Sequence, residues 1–338
     1  MADRAQPRRK RPTMIDVAQH AGVALRTVSR VVNNDPTVGA EFVNRVRTAI
    51  AALGYTPDER ARQLRGRRSG LIGAAVRNLP AGHPVLSSLD AAAREHGFTV
   101  LAMATADEED REREVVTSMF GRHLDGIVLE PVGENHQYLS RELDAGVPIV
   151  AFDRPAGGIT VDTVISDNAA GIGTAFRHLR THGHRRIAYI GDAERIFTGR
   201  ERAAAFRACV AASGESITGL VHPGLIEPAR IAAALETALL GPSPATALIT
   251  GNASATIEVL RHLGSTAAKP AIVGFDDFPL ANLLHPGLTV IAQDSDTIGR
   301  TAIDLLQHRI DDHTRPVQTV TIGVGLVVRG SGERPPPD

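Results

Sequence analysis

The sequence predicts an N-terminal all-α helix-turn-helix headpiece followed by an α/β body of two doubly wound parallel-sheet lobes. Three observations carry this. Residues 13–32, TMIDVAQHAGVALRTVSRVV, place two short apolar-faced helices around a glycine turn. From Ser69 onward, apolar runs of strand length alternate with amphipathic helical patterns, as in parallel sheets joined by crossover helices. The charge also divides: residues 1–68 hold 14 Lys/Arg against 6 Asp/Glu, and the remainder holds 23 against 32. A basic head on an acidic body is the electrostatic footprint of a phosphate-backbone binder whose other parts shun nucleic acid.

In chain order, residues 1–12 carry Arg4, Arg8, Arg9, Lys10 and Arg11 with almost nothing apolar, and are expected to form a disordered basic arm. The headpiece is expected over 13–57. Thr13 and Asp16 make a capping-box pattern, so a helix begins near Met14 with Ile15, Val17, Ala18 and Ala21 on its apolar face. Gly22 permits the left-handed backbone of the turn. A second helix over 25–32 packs through Val28, Val31 and Val32 and leaves Leu25, Arg26, Ser29 and Arg30 outward. A third, over 41–53, buries Val43, Val46, Ile50 and Leu53 and stops at Gly54, after which Tyr55 closes the small core. Residues 58–69 read as a linker, and the stretch DERARQLRG within it is too short to be stably helical alone.

The body is expected over 70–329. Strands are predicted at 71–76, 99–102, 127–129 and 149–152, then at 187–190, 247–249 and 272–275, with helices between them. A helix over 296–309 and strands near 317–322 and 325–328 should cross between the lobes, and 330–338 should be a disordered tail. Ligands of open α/β sheets bind beyond the carboxyl ends of the strands. Asp153 follows IVAF, Asn252 follows ALITG, Asp276 follows AIVGF, and Arg202 opens the helix after AYIG. Carboxylates accept from vicinal hydroxyls while Arg and Asn donate, which suits a sugar or similar polyol.

The stretch TMIDVAQHAGVALRTVSRVVNN, the helix 41–53 and GYTPDERARQLRG closely resemble the N-terminus of the LacI/GalR family of bacterial transcription regulators. The resemblance continues through FDRP, HLRTHGHRRIAYIGD, GRERAAAF and GFDDFPLANLLHPGLTVIAQD. It implies a periplasmic-binding-protein-like body and a homodimer, with a tetramer left open, that binds double-stranded operator DNA under control of a small effector. By position it implies that Leu25, Arg26 and Arg30 reach base edges, with Thr13, Thr27, Ser29 and Asn33 also on the DNA side. It makes 58–66 a hinge helix that folds on the operator, with Leu64 as a minor-groove wedge and Ala61 as the close-packing residue. It marks Asp153, Arg202, Asn252 and Asp276 as effector contacts and adds Arg200 and Phe278. Three departures stand out. Ala24 replaces the usual capping Ser of the recognition helix, at a cost of about 1 kcal/mol. NLPAGHPVL lacks the usual aromatic pair, and Ala253 stands where Asp is common.

Composition sets the remaining bounds. At 338 residues and 43% hydrophobic content, two or three domains with sizeable cores are expected. The lone Cys209 excludes an internal disulfide framework. The basic start has no apolar signal core behind it, so a cytoplasmic protein off the membrane is expected. The rival reading is a sugar-binding protein or sugar-processing enzyme sharing the two-lobed body. No P-loop, metal-ligand cluster or nucleophile elbow supports an enzyme, and no cofactor is expected. His182 and His184, in THGH, read as a solvent-facing helix end, and Gly171 and Gly173 as part of a helix.

Overall fold

The computed structural model describes residues 12–32, 35–55, 68–79, 84–214, 218–224, 226–264 and 270–337. The chain divides into Met1–Ser69 and Gly70–Asp338. Most of the basic arm, Asn33 and the hinge stretch with Ala61 and Leu64 lie outside the described residues.

The headpiece packs three helices, α1 (Met14–Ala21), α2 (Leu25–Val32) and α3 (Ala40–Leu53), around Val17, Val28 and Val46. The capping box forms as expected: Thr13 N donates to Asp16 Oδ2 at 2.7 Å and Asp16 N donates to Thr13 Oγ1 at 3.4 Å. Gly22 takes φ 62° and ends α1. Arg45 of α3 donates to Ala21 O at 2.6 Å and Gly22 O at 2.9 Å, so a side chain from another helix satisfies carbonyls that the end of α1 leaves unpaired.

The first lobe begins with β1 (Leu71–Val76), α4 (Pro84–Glu95), β2 (Thr99–Ala104), α5 (Glu109–Phe120) and β3 (Gly126–Leu129). It continues through α6 (Ser140–Asp144), β4 (Ile149–Phe152) and β5 (Asp162–Ser166). The second lobe takes α7 (Asn168–Thr181), β6 (Arg186–Gly191), α8 (Phe197–Ala212), β7 (Thr218–Pro223), α9 (Pro228–Leu240), β8 (Ala247–Thr250), α10 (Ala253–Leu263), β9 (Ala271–Phe275) and β10 (Thr289–Gln293). Helix α11 (Ser295–Asp311) and strands β11 (Thr319–Ile322) and β12 (Val324–Val327) complete the body. The sheets run β11-β5-β4-β3-β1-β2 and β12-β10-β9-β8-β6-β7, two copies of one order, with β12 the sole antiparallel member among the described strands. Strands β3, β4, β8 and β9 are buried throughout, as central strands covered by helices on both faces must be.

Three chain crossings join the lobes. After β5, Asp167 caps α7, which packs into the second lobe through Ile172, Phe176 and Leu179. After β10, Asp294 caps α11, which returns to the first lobe through Ile298, Ile303 and Leu306. The third crossing is Gly323, which alone separates β11 from β12. Both crossing helices need a glycine at their closest approach. A Cβ on Gly171 would lie 2.6 Å from the Phe275 ring, and one on Gly299 would lie 2.6 Å from Ser88 Cβ and 2.8 Å from the Leu89 amide nitrogen.

Two expectations are corrected here. Of the tail expected to be disordered over 330–338, the described residues 330–337 are ordered: Gly330 bridges to Gly287, Ser331 Oγ donates to Ile272 O at 2.6 Å and accepts from Thr289 N at 2.9 Å, and Thr289 Oγ1 donates to Glu333 at 3.0 Å. Ser331, Glu333 and the Arg334 carbonyl find long-range partners, which fasten the segment along the second lobe. His184 is not solvent-facing either. It is buried, linking Thr246 Oγ1 at 2.9 Å to Arg334 O at 2.7 Å, and burial pushes its imidazole below the usual range. Strands β5, β7 and β10 had no counterpart among the expected elements.

Candidate functional site

On α2 the face expected to point outward is graded in exposure. Leu25 is 47% exposed, Arg26 is exposed, and Thr27, Ser29 and Arg30 are half-buried. Ala24 accepts the first backbone bonds, from Thr27 N at 2.9 Å and Val28 N at 3.3 Å, but has no side-chain oxygen to cap the helix. Arg30 is docked rather than extended. Its Nε donates to Asp35 Oδ2 at 2.9 Å and its Nη2 donates to Thr37 Oγ1. The Arg30 guanidinium, with Thr37, holds the Asp35 carboxyl well below the usual carboxylate range. Thr13 Oγ1 is occupied by its capping bonds with Asp16.

In the body, a cleft of about 740 Å³ opens between the lobes at the carboxyl ends of the strands. Arg77, Glu130 and Asp153 line it from the first lobe, Ala253 and Asp276 from the second, and Gln293 from the crossing between them. Asp153 and Asp276 occupy equivalent places, one residue beyond β4 and β9, with φ 68° and 70°. A positive φ at a non-glycine residue costs of order 1 kcal/mol and is commonest where a side chain must be aimed for function. Each amide is tied back to the next strand, Asp153 N donating to Val164 O and Asp276 N to Ile291 O, which turns both carboxylates toward the cleft.

Their partners differ. Asp153 Oδ2 accepts from Arg154 at 2.9 Å; although burial acts against ionisation, Arg154, Arg77 and Arg202 hold its carboxyl below the ordinary range. Asp276 Oδ1 accepts from Gln293 Nε2 at 2.6 Å, and its Oδ2 lies 3.7 Å from Arg202 Nη1. Arg202, 3% exposed, donates to Asn168 Oδ1 at 2.7 Å and Gly251 O at 2.5 Å, and its guanidinium lies 3.7 Å above the Phe275 ring. Asn252 does two things: Oδ1 caps α10 by accepting from Ala255 N at 2.7 Å, and Nδ2 donates to Asp192 Oδ2 at 2.5 Å.

Asp153, Arg202, Asn252 and Asp276 thus share one region, but two residues suggested by the resemblance do not join them. Arg200 is exposed and donates to Glu194 O at 3.3 Å, while Phe278 packs against the core beneath α9 and α10. Sequence reasoning also passed over Arg77, Glu130, Asp192 and Gln293. Arg77, Glu130 and Asp192 follow strands that were expected, so the rule that picked out Asp153 would have found them if applied to every expected strand; Gln293 ends β10, which the sequence pattern did not mark.

A helix-turn-helix unit joined to a two-lobed body with a polar interlobe cleft defines a class of transcription regulators in which a DNA-reading head is coupled to a ligand-binding type of fold. Residues 13–58 match the family described as "Bacterial regulatory proteins, lacI family", and residues 176–332 match the periplasmic binding protein-like domain. The chain is 31% identical over 332 residues to the HTH-type transcriptional regulator PtxS of Pseudomonas plecoglossicida, covering 96% of each. It is 30% identical to the ribose operon repressor of Escherichia coli (strain K12), covering 94% of this chain and 99% of that one. The solved CelR–cellobiose complex matches with a TM-score of 0.67 at 27% identity, over 95% of this chain and 100% of that one. The chain belongs to the lacI family of bacterial regulatory proteins and is a DNA-binding transcriptional regulator. None of its described helices is long and apolar enough to cross a membrane.

Proposed function

We propose that this regulator is a repressor that binds a pseudo-palindromic operator as a homodimer and is released or locked by a small polar effector held between the lobes. The observation that carries the reading is the pair Asp153 and Asp276, strained carboxylates at equivalent strand ends that face one cleft from opposite lobes. A polyol hydroxyl accepting from Arg77 and donating to Asp276, or accepting from Arg202 and donating to Asp153, would bridge the lobes and favour one of their arrangements. Such differential contact is what an allosteric ligand requires. The names of relatives point the same way: one represses a ribose operon and another is solved with cellobiose. Leu280 and Leu283, 62% and 64% exposed, supply apolar surface suited to a second subunit. Two copies of α2 would then read two half-sites, with Leu25 and Arg26 foremost, Arg30 positioned by Asp35, and Thr13, Thr27 and Ser29 at the backbone.

Two measurements test this. Arg26→Ala should cost about 1–3 kcal/mol on the operator recovered by selection from random DNA and relax preference at one position per half-site. A uniform loss on all sequences would instead make Arg26 a phosphate contact. Asp276→Ala should abolish the effect of sugars on operator binding. A folded variant that still responds at the wild-type sugar concentration would move the effector site out of the cleft.

A further inference from the structure

We propose that Asp192 is a specificity-determining contact of the cleft and that it restricts the effector to polyols carrying no negative charge. The inference rests on the cleft being the effector site, as proposed above. It begins from how the charges at the strand ends are matched. Glu130 has Arg77 at 2.5 Å, Asp153 has Arg154 at 2.9 Å, and Asp276 has Arg202 at 3.7 Å. Asp192, directly after β6, has only the neutral amide of Asn252, on Oδ2. Its other oxygen, Oδ1, receives no hydrogen bond among the described residues. Burial pushes this carboxyl up from its ordinary value, because Arg77, Asn252, Arg202 and Arg154 offset the desolvation incompletely. A carboxylate in that position gains most from a ligand that donates to it.

A second, independent observation marks the same place. The Tyr189 hydroxyl is fully buried and has no hydrogen-bond partner among the described residues. A Cβ on Gly191 would lie 2.3 Å from it, and one on Gly251 would lie 2.5 Å from it. Those two glycines immediately precede Asp192 and Asn252. The carboxyl ends of β6 and β8 therefore bring an acceptor with one oxygen free and a hydroxyl without a partner among the described residues to the same pair of glycines. A buried hydroxyl without a partner is costly, and the cost disappears when a bound group or a water reaches it.

Charge sets the class of ligand. Around the cleft stand five carboxylates, Glu130, Asp153, Asp192, Asp276 and Asp277, against four guanidiniums, Arg77, Arg154, Arg202 and Arg329, and each guanidinium already stands beside a carboxylate. Asp294 and Asp296 add to the negative rim. A sugar acid or sugar phosphate would have to draw a guanidinium away from its partner or lie against Asp192. A neutral or amino sugar meets neither penalty.

The test uses the full-length protein, with thermal shift and isothermal titration against ribose, glucose, cellobiose and glucosamine, and against gluconate and glucose 6-phosphate. The expected result is binding of a neutral or amino sugar, with the anionic probes at least tenfold weaker. Asp192→Asn should weaken the preferred sugar at least tenfold and narrow the gap to its acid. Tighter binding of gluconate or glucose 6-phosphate than of glucose overturns the proposal, with no variant needed. So does an Asp192→Asn protein whose affinity stays within twofold while Arg202→Ala abolishes binding; in that case the cleft reading survives. Absence of binding by every probe counts against both.

Discussion

In the first lobe the charged side chains at the strand ends have counter-ions in direct contact, Arg77 with Glu130 and Asp153 with Arg154, whereas in the second Arg202 stands 3.7 Å from Asp276 and Asp192 has an amide for company. The scaffolds that carry them share one strand order and differ only in the direction of an edge strand. The difference is therefore chemical rather than architectural: in the second wall Asp277 is paired with Arg329, but Asp192 and the looser Arg202–Asp276 pair remain open to a ligand. Within that second wall Arg202 has a double duty. It is an effector candidate and also the buried cation that ties Asn168 of α7, Gly251 after β8 and the Phe275 face of β9 together.

The largest effect is expected from removing that cation. Arg202→Ala should destabilise the body by about 3–5 kcal/mol, as when one partner of a buried charge network is deleted. Arg77→Ala, at a site whose side chain is about a third exposed, should cost about 1 kcal/mol after solvent screening. Urea unfolding of the two variants decides the matter, and equal midpoints would erase the asymmetry between the walls.

The crossing helices give a contrast of intermediate size. Gly299→Ala meets backbone at Leu89 as well as Ser88, whereas Gly171→Ala meets the Phe275 ring and an Ile291 methyl, which can turn aside. Both are overpacking changes in the range of about 1–3 kcal/mol, with Gly299→Ala expected to be the costlier. The reverse order in thermal melting would mean that α7, not α11, is the more tightly seated.

The smallest effect concerns acid. Glu112 on α5 is buried and accepts from Val132 N at 2.7 Å and Tyr138 Oη at 2.8 Å, with His136 Nε2 at 3.2 Å. Burial alone would raise its carboxyl, but His136, Tyr138 and the Val132 amide outweigh it and hold it below the ordinary range. A carboxyl depressed on folding stabilises above its unfolded pKa and loses that contribution as pH falls through the folded value. Wild type should therefore lose stability more steeply than Glu112→Gln below the ordinary carboxylate range. Parallel acid titrations followed by circular dichroism would contradict this assignment.

The headpiece was more legible than the body's edges, for physical reasons. Thr13, Asp16 and Gly22 act through neighbours a few residues away, so a local pattern suffices. Strand β5 was overlooked because DTVIS starts and ends in polar residues. Asp162 earns its burial only through Arg309 at 2.7 Å and Gln318 N at 2.9 Å, both far along the chain. The tail misled for the same reason: Ser331 and Glu333 look like surface composition until Ile272, Thr289 and His178 are brought beside them. Within the cleft, Asp153 and Asp276 could be picked out by their place after strands, but the counter-ion that each would meet could not.

Gly323 sets a mechanical condition on how such a body can move. Strand β11 belongs to one sheet and β12 to the other, and one residue joins them, so Ile322 and Val324 can separate by no more than about two Cα–Cα steps, some 7 Å. Sliding or wholesale parting of the lobes would tear one of the two strands from its sheet. Rotation about an axis passing close to Gly323 would not. The body is thus a lever with its fulcrum at this glycine, where displacement in any opening or closing is smallest, and groups farther from the axis travel in proportion to their distance from it.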